Sequence, residues 1–353
     1  MTERENLFWA DVLRVIVIFG VIVIHVAADV ITEWGHFSPS WWWAANIEDS
    51  LVRGCVPVFI MLSGALLLPK QESLPDFFHK RLKRILIPFI VWNILYLVWK
   101  KYFFEPSLGL AEALGRVAGD GVHFHLWFLY IIAGLYLVTP IFRILTAHAT
   151  KQDLIYFLGL WFVVASLLPF MEQITQLFTG ARFHIKLPAE AATGFIGYFV
   201  LGHFLMKYAT EKSVRSAVLI WAASLSVCIA GTYLLSAHFH HYVNLLYDNF
   251  APNVIFYTAS FFILLKFSGP VLEKNLPLAF RKLTLSFSQA SFGIYLIHPM
   301  ILDVFRRGRW GFVLKADLHH PLWMIPLTAI AIYLFSFLLI WLIQKIPYGK
   351  RIT

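Results

Sequence analysis

Charge is scarce in this chain: 14% of its 353 residues are Asp, Glu, Lys or Arg, where a soluble domain carries about 25%. That shortfall excludes an ordinary water-soluble globule. Cysteine is scarcer. Cys55 and Cys228 both lie inside apolar runs and supply neither a disulfide framework nor a metal-ligand spacing, so no metal is expected. The sequence also lacks long linkers, low-complexity tracts, internal repeats and any appended soluble segment, which leaves one membrane domain over 1–353 as the expected organisation.

What is present is apolar: 59% of the residues are hydrophobic and 17% aromatic. They fall into ten blocks, approximately 8–30, 44–68, 85–101, 123–146, 154–172, 190–207, 215–236, 250–267, 286–304 and 322–344. Each is near the 20 residues that cross a hydrocarbon core of about 30 Å. In lipid the backbone must satisfy its own hydrogen bonds, and blocks this long suit helices rather than tilted barrel strands. The expected fold is therefore all-α and polytopic, with about ten transmembrane helices. The first block is read as a retained helix, because Arg4 is flanked by Glu3 and Glu5 and no clean cleavage site follows.

The net charge of +9 is explained by topology without nucleic acid. With a cytoplasmic N-terminus, eighteen Lys and Arg residues fall on inside segments and nine on outside ones, as the positive-inside rule requires. Both termini are then cytoplasmic. Arg306, Arg307, Arg309 and Lys315, between the last two blocks, run against that trend and suggest contact with lipid or substrate.

Two residues in the first block stand out. Arg14 and His25 are eleven positions apart, which on a helix brings the second within about 20° of the first and about 16 Å further along the axis. Ionisable groups at such depth face protein or a water-filled cavity, so this stripe is expected to line an internal path. Asp11 lies one turn before Arg14, and Asp29 one turn after His25, where a carboxylate can orient an imidazole or stabilise its protonated form. The plainer alternative makes His25 a helix-packing donor and lets Arg14 snorkel beside Asp11.

Further along, V-P-V-F-I-M-L-S-G spans Val56 to Gly64, K-R-L-K-R-I-L-I-P spans Lys80 to Pro88, H-L-W-F-L opens at His125, and S-F-G-I-Y-L-I-H-P spans Ser291 to Pro299. In this order, together with Arg14 and His25 at the spacing Arg-x10-His, the chain resembles the bacterial integral-membrane acyltransferases of acyltransferase family 3. Ile60 stands where the family has a second Phe, and Pro88 follows the Arg81 and Arg84 pair one residue later than in many members. The resemblance implies a multi-pass protein of the bacterial inner membrane. It also implies transfer of an acyl group, usually acetyl from acetyl-CoA, to a hydroxyl of an extracytoplasmic glycan or lipid-linked sugar.

The residues fit that chemistry. An alcohol becomes a good nucleophile when a base takes its proton, and histidine, with a reference pKa of about 6.5, is poised for this. His25 is the candidate general base, with Arg14 and Asp29 completing the catalytic group; a covalent acetyl-histidine is the alternative. Lys80, Arg81, Lys83, Arg84 and Arg14 are candidates for the donor's phosphates, although basic inside loops also follow from topology alone. His125, Trp127, Tyr295 and His298 are candidates for substrate contact, with interfacial anchoring the plainer role of Trp127. Ser63-Gly64 reads as close helix packing, W-W-W at 41–43 as an interfacial anchor, His238, His240 and His241 as surface loop, and Glu190 as a helix-dipole partner. Beyond donor and acceptor, the expected partners are membrane lipids; nothing in the sequence bears on oligomeric state. The competing class is a secondary transporter or proton-coupled flippase, which also uses intramembrane Arg, His and Asp, but no inverted repeat or matched pair of broken helices is visible. A structural scaffold would need no aligned Arg and His.

Overall fold

The computed structural model describes residues 7–119, 122–181 and 194–353. Among these residues every regular element is a helix. In chain order they are α1 (Phe8–Ile31), α2 (Pro39–Val52), α3 (Cys55–Leu67), α4 (Leu74–Phe103), α5 (Leu110–Ala118), α6 (Trp127–His148), α7 (Lys151–Phe162) and α8 (Leu168–Thr179). There follow α9 (Ile196–Tyr208), α10 (Ser213–Ser226), α11 (Thr232–Phe239), α12 (Pro252–Asn275), α13 (Leu278–Arg306), α14 (Pro321–Ile343) and α15 (Gly349–Ile352). Nine spans among the described residues are long and apolar enough to cross a membrane. α2 with α3, α7 with α8, and α10 with α11 each make one of them. The block expected at 190–207 begins outside the described residues, as does Glu190, and its described part is α9.

The helix termini follow local chemistry. Proline takes an early position in α2, α12 and α14, where its missing N–H has no intrahelical role. Thr150 and Asp153 form a capping box at the start of α7. The last turn of α9 is closed by Lys266, whose Nζ donates to the carbonyls of Leu205, Met206 and Ala209 at 3.2, 2.9 and 3.0 Å. Valine and isoleucine dominate α1 despite modest helix propensity, because a lipid environment leaves the backbone no partner outside the segment.

α1 is the central element, packed against α2, α3, α12, α13 and α14. Trp42 ties down its far end, donating from Nε1 to the carbonyl of Ile31 at 3.0 Å, so the tryptophan run is partly a structural clasp. α3 and α9 cross closely. A Cβ on Gly64 would lie 1.8 Å from the carbonyl oxygen of Phe199, and one on Gly202 would lie 1.9 Å from that of Met61. The Ser63-Gly64 step therefore serves helix packing.

Candidate active site

The stripe on α1 organises the site. Between Arg14 and His25, the side chains of Val17, Ile18 and Val21 border a small apolar cavity with Val56, Phe59, Phe128, Phe292 and Tyr295. Its volume is about 20 Å³, room for roughly one water molecule. Phe59, Phe128, Phe292 and Tyr295 thus form an aromatic constriction midway along the stripe, where a path such as the sequence suggests would open only if those rings moved.

Beyond the constriction, His25 stands among other rings. It stacks on His298 with centroids 5.5 Å apart and planes at 18°, and meets Phe124 edge-on at 4.7 Å. His298 is held by a consequence of the sequence. Pro299 has no N–H, so the carbonyl of Tyr295, four residues earlier, lacks its helical donor. The Nδ1 of His298 takes that place at 2.7 Å. A carbonyl accepts only, so Nδ1 carries the proton and Nε2 presents a lone pair. That Nε2 is buried and has no partner among the described residues.

His125, fully buried at 1% exposure, extends the cluster. Its Nε2 donates to the carbonyl of Leu296 at 3.3 Å, and its Nδ1 meets Nδ1 of His123 at 3.2 Å. The first bond fixes the proton on Nε2, which makes His123 the donor in the second. Tyr96 donates to the same Leu296 carbonyl at 2.8 Å, and the hydroxyl of Tyr295 donates to the His125 carbonyl. Burial, with the nearby charge of Lys100, pushes the His123 imidazole down to about 3. Trp127 sits apart from these rings, packed on Phe195 and Phe128.

The carboxylate of Asp29 does not meet the His25 ring; it forms an ion pair with Arg306, which donates from Nε at 2.9 Å. The same guanidinium donates to the His25 carbonyl at 2.6 Å. Asp29 and Arg306 therefore clamp α1 to α13 beside the imidazole. The other basic residues of this loop are likewise matched to acids: Arg307 and Arg309 to Asp303, and Lys315 to Asp317. That local pairing accounts for a basic loop on the side where the charge trend disfavours one.

At the other end of the stripe the ionisable side chains are partly exposed. Arg14 donates to Asp11 at 2.7 Å, and Ser288 donates to the same carboxylate oxygen at 2.6 Å. Arg84 lies within electrostatic reach of Arg14. Glu72 gathers three cations, Arg143 at 3.1 Å, Arg81 at 3.5 Å and Lys80 at 3.6 Å. Burial alone would raise the Glu72 carboxyl, but the hydrogen bond from Arg143 and the charges of Arg81, Arg143 and Lys80 hold it below the ordinary range. Lys83 donates instead to His79 at 3.1 Å. Of the five expected phosphate contacts, two are thus already shared with Glu72, and Arg14 is shared with Asp11.

Two residues that the sequence did not single out, Asp49 and Arg53, form an ion pair inside the second span. Arg53 also lies over the ring of Tyr247 at 4.3 Å and within electrostatic reach of His25. The signal was available: Asp49 and Arg53 stand at i and i+4 and, with Glu48, are the charges of an apolar block. Glu72 and Arg306 were likewise legible only as members of charged stretches. Among the described residues no group of His, Cys, Asp and Glu is placed to hold a metal, and His238, His240 and His241 are exposed.

Comparison with known proteins adds one finding: a family model described as an acyltransferase domain matches residues 7–345, nearly the whole chain. No curated protein and no solved structure matches.

Proposed function

The chain belongs to acyltransferase family 3, a multi-pass membrane acyltransferase, and on that footing we propose that it moves an acetyl group from cytoplasmic acetyl-CoA to a hydroxyl of an extracytoplasmic glycan or lipid-linked sugar in the bacterial inner membrane. One observation supports this most: a single helix carries a cationic, partly exposed end at Arg14 and an imidazole cluster at His25, separated by an aromatic constriction. That is the layout needed when donor phosphates stay on one side and the acceptor alcohol on the other. With the termini cytoplasmic, the Arg14 end faces the donor.

In this mechanism the cations at the Arg14 end, Arg14 and Arg84 among them, draw in the anionic donor, and the pantetheine arm displaces the rings around Val17 and Val21. His25 takes the proton of the acceptor hydroxyl as its oxygen attacks the thioester carbonyl. The C–S bond then breaks, the acyl group stays on the alcohol oxygen as an ester, and the proton passes to the departing CoA thiolate. His298, with its free Nε2 beside the His25 ring, keeps the imidazole oriented, and Arg306 with Asp29 keeps α1 in register. His125 and Tyr295 form the wall behind the acceptor.

The test compares cell-surface glycans from strains with and without the gene by mass. The expected outcome is one acetyl group gained per modified site, abolished by His25→Ala at unchanged protein level. Glycans of equal mass, or acetylation that survives His25→Ala, exclude the assignment.

A further inference from the structure

At the Arg14 end, the far side of Glu72 opens into a cavity of about 1050 Å³. Its wall includes Lys70, Glu72, Arg143, His148, His203 and Lys207, drawn from the α3–α4 connection and the ends of α6 and α9. The volume slightly exceeds the range usual for small-molecule sites, about 300–1,000 Å³. Among the described lining residues Arg143 and Lys207 are permanent cations, Lys70 lies at the same wall, and the one carboxylate, Glu72, is already shared with Arg81, Lys80 and Arg143. The described lining is therefore richer in cations than in carboxylates.

Two details mark it as more than a basic surface. His203 is buried at 7% exposure, and neither Nδ1 nor Nε2 of its ring has a hydrogen-bond partner among the described residues. A buried imidazole of this kind forgoes hydrogen bonds that a ligand in the cavity can supply. Arg143 is fixed rigidly at the rim, with Nε on the Leu67 carbonyl at 3.0 Å, Nη2 on Glu72 and its plane 4.7 Å from the Phe77 ring. Fixed geometry suits phosphate recognition, because little rotamer freedom is lost when the ligand binds.

We propose that this cavity holds the 3′-phosphoadenosine diphosphate end of the CoA donor, with the phosphates against Lys70, Lys207 and Arg143 and the adenine edge hydrogen-bonded by His203. The proposal rests on the acyl-CoA reading above and locates the nucleotide beyond Glu72 rather than on the Lys80–Arg84 segment itself. Arg84 and Arg14 then receive the chain leading away from the pyrophosphate. Anionic lipid headgroups share the phosphate chemistry, so the measurement has to separate the two.

The experiment is calorimetric binding of CoA and of adenosine 3′,5′-bisphosphate to the full chain in nanodiscs of zwitterionic lipid. Lys207→Ala, and Lys70→Ala with Lys207→Ala, alter exposed side chains and leave packing intact. Each is expected to weaken both ligands about tenfold or more, whereas Lys101→Ala, near the far end of α4, binds as wild type. His203→Phe, which keeps the ring and removes both nitrogens, weakens the bisphosphate as well. If wild type binds CoA and the lysine variants bind it equally, the cavity assignment is wrong while the donor assignment stands. The cavity assignment is excluded in the same way if the variants lose co-purified anionic lipid instead of CoA affinity. If wild type binds no CoA, both assignments fall.

Discussion

The two ends of the α1 stripe use ionisable residues in opposite ways. At His25 the rings are packed and mostly buried, and backbone carbonyls fix the tautomers of its neighbours His125 and His298. At Arg14 the cations are partly exposed and outnumber the carboxylates they share, Arg14 pairing with Asp11 and Arg81 and Arg143 with Glu72. The first arrangement suits proton transfer, where geometry and tautomer decide the rate. The second suits capture of a polyanion, where long side chains and an adjustable charge balance serve better.

The sharpest way to break this comparison is to mutate both ends. His25→Ala is expected to lower the turnover number about 10²- to 10⁴-fold with donor binding intact. Arg14→Ala is expected to raise KM for acetyl-CoA with a much smaller effect on turnover. Steady-state kinetics on purified enzyme reads both, and equal losses of turnover would erase the distinction.

A large effect on stability is expected close to His25. Arg53→Leu strands the buried carboxylate of Asp49 and should cost about 3–5 kcal/mol. Thermal unfolding in detergent should show the loss, and Asp49→Leu in the same chain should recover part of it.

Pro299→Ala addresses the tautomer of His298. The new N–H competes for the Tyr295 carbonyl, freeing Nδ1 of His298 and disturbing the ring stacked on His25. A turnover loss of roughly tenfold to a hundredfold is expected, with helix stability unchanged or improved. Full activity in Pro299→Ala would remove His298 from the orienting role.

The smallest effect belongs to the Arg14 end. The Glu72 carboxyl is held below its ordinary value, so its contribution is fully present above an unfolded value of about 4.3 and is lost as pH falls through the lower folded value. Glu72→Gln should therefore be less stable than wild type at neutral pH by about 1 kcal/mol or less. The gap should close under acid, read as converging melting temperatures; a gap that widens on acidification would contradict the pairing.

Much of this was legible in advance. The length and spacing of the apolar blocks anticipated the helices, and the eleven-residue interval anticipated that Arg14 and His25 share a face, because both rest on the fixed pitch of a helix. The partner of Asp29 was not legible. Its neighbour along the helix is His25, but its carboxylate turns to Arg306, 277 positions away, and no local rule reaches that far. Of the basic residues at 306–315, only Arg306 depends on so distant a partner; Asp303 and Asp317 lie close in the chain to the cations they match.

The sequence by itself determined a helical membrane protein with a cationic and an imidazole group on one face of its first span, because lipid forces backbone satisfaction within each segment and helix geometry does the rest. Only the tertiary structure decided which rings surround His25, where Asp29 spends its charge, and that a nucleotide-sized cavity opens beyond Glu72. Those outcomes depend on side chains brought together from distant helices, and helix packing selects such neighbours by shape and charge across the whole bundle.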